Sequence, residues 1–356
     1  MRNQPPIQEP TTKDTSYSQS KTNRSSVLSV RNLRTYFFTP SGIVKAVDDV
    51  SFDVNRDDIL AIVGESGSGK SVTALSTMKL VPVPPGRYVG GEIMIDGVSI
   101  LSLNDQRLQE IRGARISMIF QNPRAALNPA FTLLTQLAET IKYHDRSLSK
   151  KEIVARALVL LREVGVSDPD QVGASYPHQV SSGMCQRVGL ALSMACNPEL
   201  LIADEPTTML DASVQAKILL MLKRAHSERH LPIMLITHDF GVVRALAKRI
   251  IVMYAGMIQE QGPAEVILTD PQHPYTKALI LSVPNPEQSV RRLFQIAGQP
   301  PDLSRLPRGC SFADRCGSVM PICRSDKPGF YRSPTGSYVR CHLFAVSPEA
   351  KGRVNL

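Results

Sequence analysis

The sequence predicts an α/β fold, a mostly parallel core sheet with helices, and three observations carry that reading. The glycine-rich stretch Gly64-Glu65-Ser66-Gly67-Ser68-Gly69-Lys70-Ser71 joins the apolar run 59–63 to a helix-like run beginning at Val72. Three further apolar runs, 116–120, 200–203 and 233–236, end in Gln121, Asp204-Glu205 and Thr237-His238. Unbroken apolar runs mark strands buried on both faces, and ligand-contacting groups gather at the carboxyl ends of such strands. Beyond His273 the composition shifts. Pro, Arg and Cys rise and periodicity fades, which predicts a small Cys-containing C-terminal domain.

A chain of 356 residues with 42% apolar and 21% charged residues can bury a large core in two or three domains. Its apolar runs stop short of the ~18 residues a membrane span needs. No N-terminal apolar segment reads as an export signal, so a cytoplasmic protein is expected. The net charge of +9 is uneven: from Val290 onward there are 11 Lys and Arg against 4 Asp and Glu. This excess is not interleaved with aromatic rings as in a nucleic-acid groove, so nucleic acid is not the expected partner.

Taken in order, residues 1–26 are rich in Ser, Thr, Gln and Pro and read as a disordered tail. Residues 27–30 and 47–54 read as strands of an N-terminal antiparallel β-subdomain. Between them Thr35-Tyr36-Phe37-Phe38-Thr39-Pro40-Ser41-Gly42 reads as a turn carrying three rings, one of which is placed to stack on a base. Residues 91–100 read as a hairpin turning at Asp96-Gly97. From about 123 to 190 the pattern is that of a helical subdomain, with apolar residues at helix spacing over 150–164. The runs 250–254 and 257–260 complete the sheet around Ala255-Gly256. The main domain is assigned to 27–285 and the extension to 286–356.

The chemistry follows from the residue types. Glycines let successive backbone N–H groups point at phosphate, and a helix N-terminus adds partial positive charge. Lys70 is placed for the outer phosphates and the Ser71 hydroxyl for Mg²⁺. An acid ending a buried strand, Asp204, suits Mg²⁺ as well. Glu205, one residue on, suits a general base, and His238 stands where it would face the terminal phosphate.

These residues, in this order, resemble the ATP-binding-cassette family of transporter ATPases over about residues 27–265. The elements are the phosphate loop, Gln121, Val180-Ser181-Ser182-Gly183-Met184, Asp204-Glu205 and His238. The resemblance implies the cassette form of the phosphate-loop NTPase fold. It implies ATP on Gly64 to Val72 with its base on Phe37, and Mg²⁺ near Ser71, Gln121 and Asp204. It further implies that Ser181 to Met184 form a signature completing a partner's ATP site, and that Asp211 contacts that partner. The signature departs from the family pattern at Ser182, where a glycine is usual, and at Cys185, where a cation is usual.

Phe120-Gln121-Asn122-Pro123, Tyr176-Pro177-His178-Gln179, His273-Pro274-Tyr275-Thr276 and the tail cysteines resemble the oligopeptide/dipeptide permease subfamily. That implies a peripheral subunit on the cytoplasmic face of the inner membrane. Its partners are then a second ATPase subunit (a paralogue or a second copy), two membrane-spanning permease subunits and an extracytoplasmic binding protein. Nickel importers share the pattern, and a soluble ATPase acting on nucleic acid or ribosomes is the alternative of another class. In the tail, Cys310, Cys316, Cys323 and Cys341 are spaced C-x₅-C-x₆-C-x₁₇-C, unlike the tight pairs of zinc ribbons. Four thiolates on long loops suit a [4Fe–4S] cluster, with zinc as the alternative, and the resemblance favours the cluster. Arg308, Arg315, Arg324 and Arg340 are expected to offset the thiolate charge.

Overall fold

The computed structural model describes residues 26–208, 210–283 and 295–345. The expected tail, up to residue 25, and most of the expected domain boundary lie outside the described residues. The chain runs through β1 (Ser26–Thr39), β2 (Gly42–Asn55), β3 (Ile59–Val63), α1 (Lys70–Thr77), β4 (Gly86–Ile95), β5 (Val98–Ser99), α2 (Asp105–Ile111) and β6 (Ile116–Ile119). A helical stretch follows: α3 (Pro123–Ala126), α4 (Leu133–His144), α5 (Lys150–Glu163), α6 (Pro169–Ala174) and α7 (Ser182–Met194). Then come β7 (Leu200–Asp204), α8 (Ala212–Arg229), β8 (Ile233–Ile236), α9 (Phe240–Leu246), β9 (Arg249–Tyr254) and β10 (Met257–Pro263). The last elements are α10 (Ala264–Thr269), α11 (Pro274–Leu281), α12 (Pro321–Ser325), β11 (Tyr331–Arg332) and β12 (Tyr338–Val339).

Every residue of β3, β7 and β8 is buried, as their unbroken apolar composition requires. They sit at the heart of an eight-stranded sheet of order β11-β12-β10-β9-β3-β8-β7-β6, in which β9, β3, β8, β7 and β6 are parallel. Alternate residues supply opposite faces. Leu60 and Ile62 join a core shared with the four-stranded antiparallel sheet β2-β1-β4-β5, whereas Ala61 and Val63 pack against β9 and α11 residues. On β7, Leu201 and Ala203 pack with the helical stretch. The hairpin between β4 and β5 turns at Asp96 and Gly97, both at positive φ. Helix α5 starts with a reciprocal Ser149–Glu152 cap, and α7 with a Ser181 cap.

One expectation is corrected. The three rings are not on a turn: Tyr36, Phe37 and Phe38 lie on β1, which pairs with both β2 and β4, and the turn is only Pro40-Ser41. The extension docks on the core sheet. Its hairpin, β11 with β12, adds to the edge of the core sheet, pairing Val339 with Glu260 on β10. Strands of two residues carry no periodic signal, so pairing at this distance along the chain is invisible locally. Among the described residues, no helix is long and apolar enough to cross a membrane.

Candidate active site

The glycine-rich loop leaves β3 and enters α1, as its position between an apolar run and a helical one requires. Gly69 caps α1 at φ 102, and a Cβ there would stand 2.3 Å from the Ala46 carbonyl. No other residue type fits that conformation and that approach. Lys70, 6% exposed, turns back over the loop. Its Nζ donates to the carbonyls of Gly64 at 2.8 Å and Glu65 at 2.9 Å, and to Ser68 Oγ at 3.4 Å. Burial lowers the Lys70 pKa, while Glu205, Asp204 and Glu65 pull the other way. Ser66, Gly67 and Ser68 form the bend of the loop. Ser71 stands on the first turn of α1, with Val72 after it.

The Ser71 hydroxyl donates to Asp204 Oδ1 at 3.1 Å, joining the helix start to the end of β7. Burial raises the Asp204 pKa to about 6, against the Ser71 hydrogen bond and Lys70. The next residue, Glu205, has φ 48, a conformation uncommon for a side chain of its kind. Its N–H donates to the Ile236 carbonyl on β8 at 2.8 Å. The carboxylate is held on both oxygens. Oε2 accepts from Gln121 Nε2 at 2.9 Å and Thr208 Oγ1 at 3.0 Å, and Oε1 lies 3.3 Å from His238 Nδ1. Burial alone would raise its pKa, but the Thr208, His238 and Gln121 contacts outweigh that and lower it. The Glu205 carboxylate is thus kept ionised and fixed on both oxygens, and Asp204 is held beside it by the Ser71 hydroxyl.

The structure places Gln121 and His238 against Glu205, the residue after Asp204, with a difference from expectation at Gln121. Its amide donates to Glu205 rather than to the Ser71–Asp204 pair. Glu65 also differs: its N–H donates to the Tyr275 hydroxyl, and its carboxylate pairs with Arg315. Thr208 and Gln186 received no role from the sequence. Gln186 Nε2 donates to the Pro206 carbonyl at 2.8 Å, tying α7 to the loop after Glu205. Thr208 follows the acidic pair by a single turn, a spacing that places a hydroxyl on Glu205.

The residues 181–184 stand apart from the phosphate loop, at the start of α7. Ser181 caps the helix by accepting from Met184 N at 3.2 Å. Ser182 is exposed, and Gly183 stands against Val214, where a Cβ would come within 3.2 Å. Cys185 is fully buried, its thiol 3.5 Å from the Pro177 carbonyl, so it faces the helical core. A cleft of about 360 Å³ runs past Gln121, Arg124, Ser182, Gln186 and Thr208. Asp211 is exposed and caps α8 through Val214 N and Ser213 Oγ. On β1, the Tyr36 hydroxyl is held by Asp48 at 2.6 Å, whereas Phe37 is half-buried beside Gly86 with no polar partner to satisfy.

Cys310, Cys316, Cys323 and Cys341 are free thiols near enough to feel one another's charge. Burial first, and the neighbouring sulfurs after it, raise Cys310 and Cys316 and push Cys341 up to about 12. Among the described residues, however, no three His, Cys, Asp or Glu are grouped so as to hold a metal ion. The expected [4Fe–4S] or zinc site is therefore not supported by this arrangement. The arginines are engaged elsewhere: Arg315 with Glu65, Arg324 with Asp314 and Arg340 with Asp49.

Residues 47–208 match the family described as ABC transporter, and residues 259–323 match the oligopeptide/dipeptide transporter C-terminal region. The chain is 42% identical to the oligopeptide transport ATP-binding protein AppD of Bacillus subtilis (strain 168), over 90% of this chain and 97% of that protein. It is 45% identical to the dipeptide transport ATP-binding protein DppD of the same organism, over 89% and 94%. Among solved structures, it resembles the ATP-binding cassette MJ0796, a dimer in a post-hydrolysis state bound to ADP and Pi. That match has a TM-score of 0.61 and 28% identity, covering 67% of this chain and 98% of that one. The strand–loop–helix around Lys70, the Asp204–Glu205 pair and these matches together give the identity: the chain belongs to the ATP-hydrolysing ATP-binding proteins of the ABC transporter family, in its oligopeptide/dipeptide group.

Proposed function

We propose that the chain powers a membrane importer of oligopeptides or dipeptides, with Glu205 as the general base of ATP hydrolysis. The observation that supports this best is the grip of Gln121, Thr208 and His238 on the Glu205 carboxylate, next to the Ser71–Asp204 contact. The ATP phosphates lie on the backbone of the loop from Gly64 to Ser71 and on the start of α1 at Val72. The base rests on Phe37, since Tyr36 is already committed to Asp48. Ser71 Oγ and Asp204 Oδ1 are oxygen donors that suit a hard divalent cation, with Gln121 nearby. Mg²⁺ held there supplies positive charge to the β- and γ-phosphates. Glu205 takes the proton of the attacking water, and His238 orients that water and the γ-phosphate.

Ser181, Ser182, Gly183 and Met184 serve the ATP site of a second ATPase subunit, and Asp211 touches that subunit. The pair sits under two permease subunits, fed by an extracytoplasmic binding protein, at the cytoplasmic face of the inner membrane. The names of the relatives favour peptides as cargo. The finer reading of the tail as a [4Fe–4S] module rests on the spacing of Cys310, Cys316, Cys323 and Cys341, and no metal-holding group among the described residues supports it. Iron and acid-labile sulfide at about four each per chain after anaerobic purification is the expected result for a cluster of that type. Metal-free protein with four titratable thiols would remove it.

The function is tested by Glu205→Gln in the assembled transporter, reconstituted in vesicles. ATP binding should persist, while hydrolysis and peptide uptake fall together by roughly 10²–10⁴-fold, the usual cost of losing a general base. Wild-type turnover would remove Glu205 from the reaction. Hydrolysis without any peptide uptake would remove the cargo.

A further inference from the structure

The phosphate loop is gripped from outside the cassette, by side chains of the C-terminal half that the reaction does not use. Arg315, in the turn before Cys316, has a side chain only 6% exposed. Its guanidinium closes on Glu65 with two parallel bonds, Nη1 to Oε2 at 2.7 Å and Nη2 to Oε1 at 3.0 Å. The other three donors are also engaged. Nε donates to the Ala297 carbonyl at 2.9 Å, Nη1 to the Tyr254 hydroxyl at 3.2 Å, and Nη2 to the Ile296 carbonyl at 3.4 Å. The Arg315 Cζ stands 5.7 Å from the centre of the Tyr254 ring and 5.9 Å from that of Phe312. All five N–H groups of the fork are thus satisfied, and the fork is fixed before it meets Glu65.

Glu65 is held at three points. Its carboxylate meets Arg315, its N–H donates to the Tyr275 hydroxyl at 2.9 Å, and its carbonyl accepts from Lys70 Nζ at 2.9 Å. The Glu65 carboxylate acts on Lys70 electrostatically too. An acid at the second position of a phosphate-binding loop works against a polyanion. Neutralising it and turning it away from the loop removes that repulsion.

We propose that Arg315 is a positioning residue of the ATP site. Through its forked ion pair with Glu65, the docked C-terminal extension holds the phosphate loop in its binding shape and cancels the acid beside it. Nucleotide affinity then depends on the docking of the extension. This rests on the reading of residues 64–71 as the phosphate loop. Arg315 acts through Glu65 and touches neither substrate nor water.

The test measures Mg·ATP affinity of the full-length chain, with KM and kcat in the assembled transporter. The variants are Arg315→Ala, Arg315→Lys, Glu65→Gln and the double variant Arg315→Ala/Glu65→Gln. Loss of a charge-assisted pair should weaken ATP binding about tenfold and raise KM while kcat changes less. Arg315→Lys should recover part of the loss, because one ammonium replaces a two-pronged fork. The double variant should be no worse than Arg315→Ala, since both remove one contact. A purely structural staple predicts a lower melting temperature with unchanged affinity in the folded variants, and that result overturns the proposal. So does full additivity of the two substitutions. If Arg315→Ala does not fold, Arg315→Lys decides: it keeps the charge but loses the two-pronged fork, so Mg·ATP affinity should fall by less than about tenfold, and unchanged affinity overturns the proposal. Lys70→Ala separates the two layers: it should abolish ATP binding. Normal binding by Lys70→Ala would overturn the phosphate-loop reading and the proposal with it. Loss in Lys70→Ala beside normal affinity in Glu65→Gln and Arg315→Ala would overturn only the proposal.

Discussion

His273 makes the stability of the docked C-terminal half depend on pH. It is 1% exposed, caps α11 by accepting from Tyr275 N at 3.0 Å, and donates its own N–H to Glu260 at 2.9 Å. Burial lowers its pKa from 6.5 to about 3, against the pull of the Arg340 backbone. Below pH 6.5 the unfolded chain takes up a proton that the folded chain refuses. Stability present above 6.5 is therefore lost as pH falls toward 3, and levels off below. The slope is about 1.4 kcal/mol per pH unit, so the loss at pH 5 is about 2 kcal/mol. The perturbation is His273→Asn, which keeps an acceptor for the helix cap but cannot titrate. Wild type and variant are compared by urea unfolding from pH 7.5 down to pH 5. The difference between them should shrink, or reverse in favour of the variant, by about 2 kcal/mol over that range. Buried Glu260 titrates in both proteins and cancels in the difference. Parallel pH profiles would refute the reasoning, because a histidine that charges freely in the fold carries no such term.

Ser182→Gly should raise, or leave unchanged, the ATPase rate of the assembled transporter if, as proposed, Ser182 adds a side chain at a partner's ATP site. A severe loss would mean that its hydroxyl is used. Thr208→Val removes one of the bonds that hold the Glu205 carboxylate ionised, so the Glu205 pKa should rise. The acid limb of the kcat profile should then move to higher pH, and an unmoved limb would exclude Thr208 from tuning the base. Gly69→Ala should abolish ATP binding, because its Cβ would stand 2.3 Å from the Ala46 carbonyl at a backbone φ of 102; normal binding would show that the loop can shift.

The parallel strands and the acid-ended β7 were legible because their signals are local. A strand buried on both faces must be apolar throughout, and a phosphate loop must have glycine where a Cβ has no room. The site residues separate at the strand ends in sequence and converge in space for the same reason: β3, β6, β7 and β8 run parallel, so their carboxyl ends share one edge. What was not legible is held by pairing across long sequence distances. Glu260 meets Val339 through a two-residue strand, and Arg315 meets Glu65 across 250 residues. The sequence reading set the arginines beside the cysteines against thiolate charge. It could not say that the acid of Arg315 lies in the phosphate loop.

The C-terminal extension also meets a requirement of the sheet itself. Strand β10 pairs with β9 on one side, and its other side would leave backbone groups open to another chain. Strand β12 covers part of that side, and the Arg340 N–H donates to the Gln259 carbonyl at 2.7 Å. Just inside this edge, the buried Glu260 carboxylate accepts from Gln272 N, His273 N and the Ser337 hydroxyl, three donors from α11's approach and the extension's hairpin. Without the hairpin, Glu260 loses a donor in a site where desolvation already raises its pKa. Beside this edge, β9 ends in Tyr254 and α11 carries Tyr275, the two hydroxyls that reach Arg315 and Glu65. Sheet completion and the Arg315–Glu65 pair thus rest on one continuous set of contacts, so a change in the hairpin should also be felt at the phosphate loop.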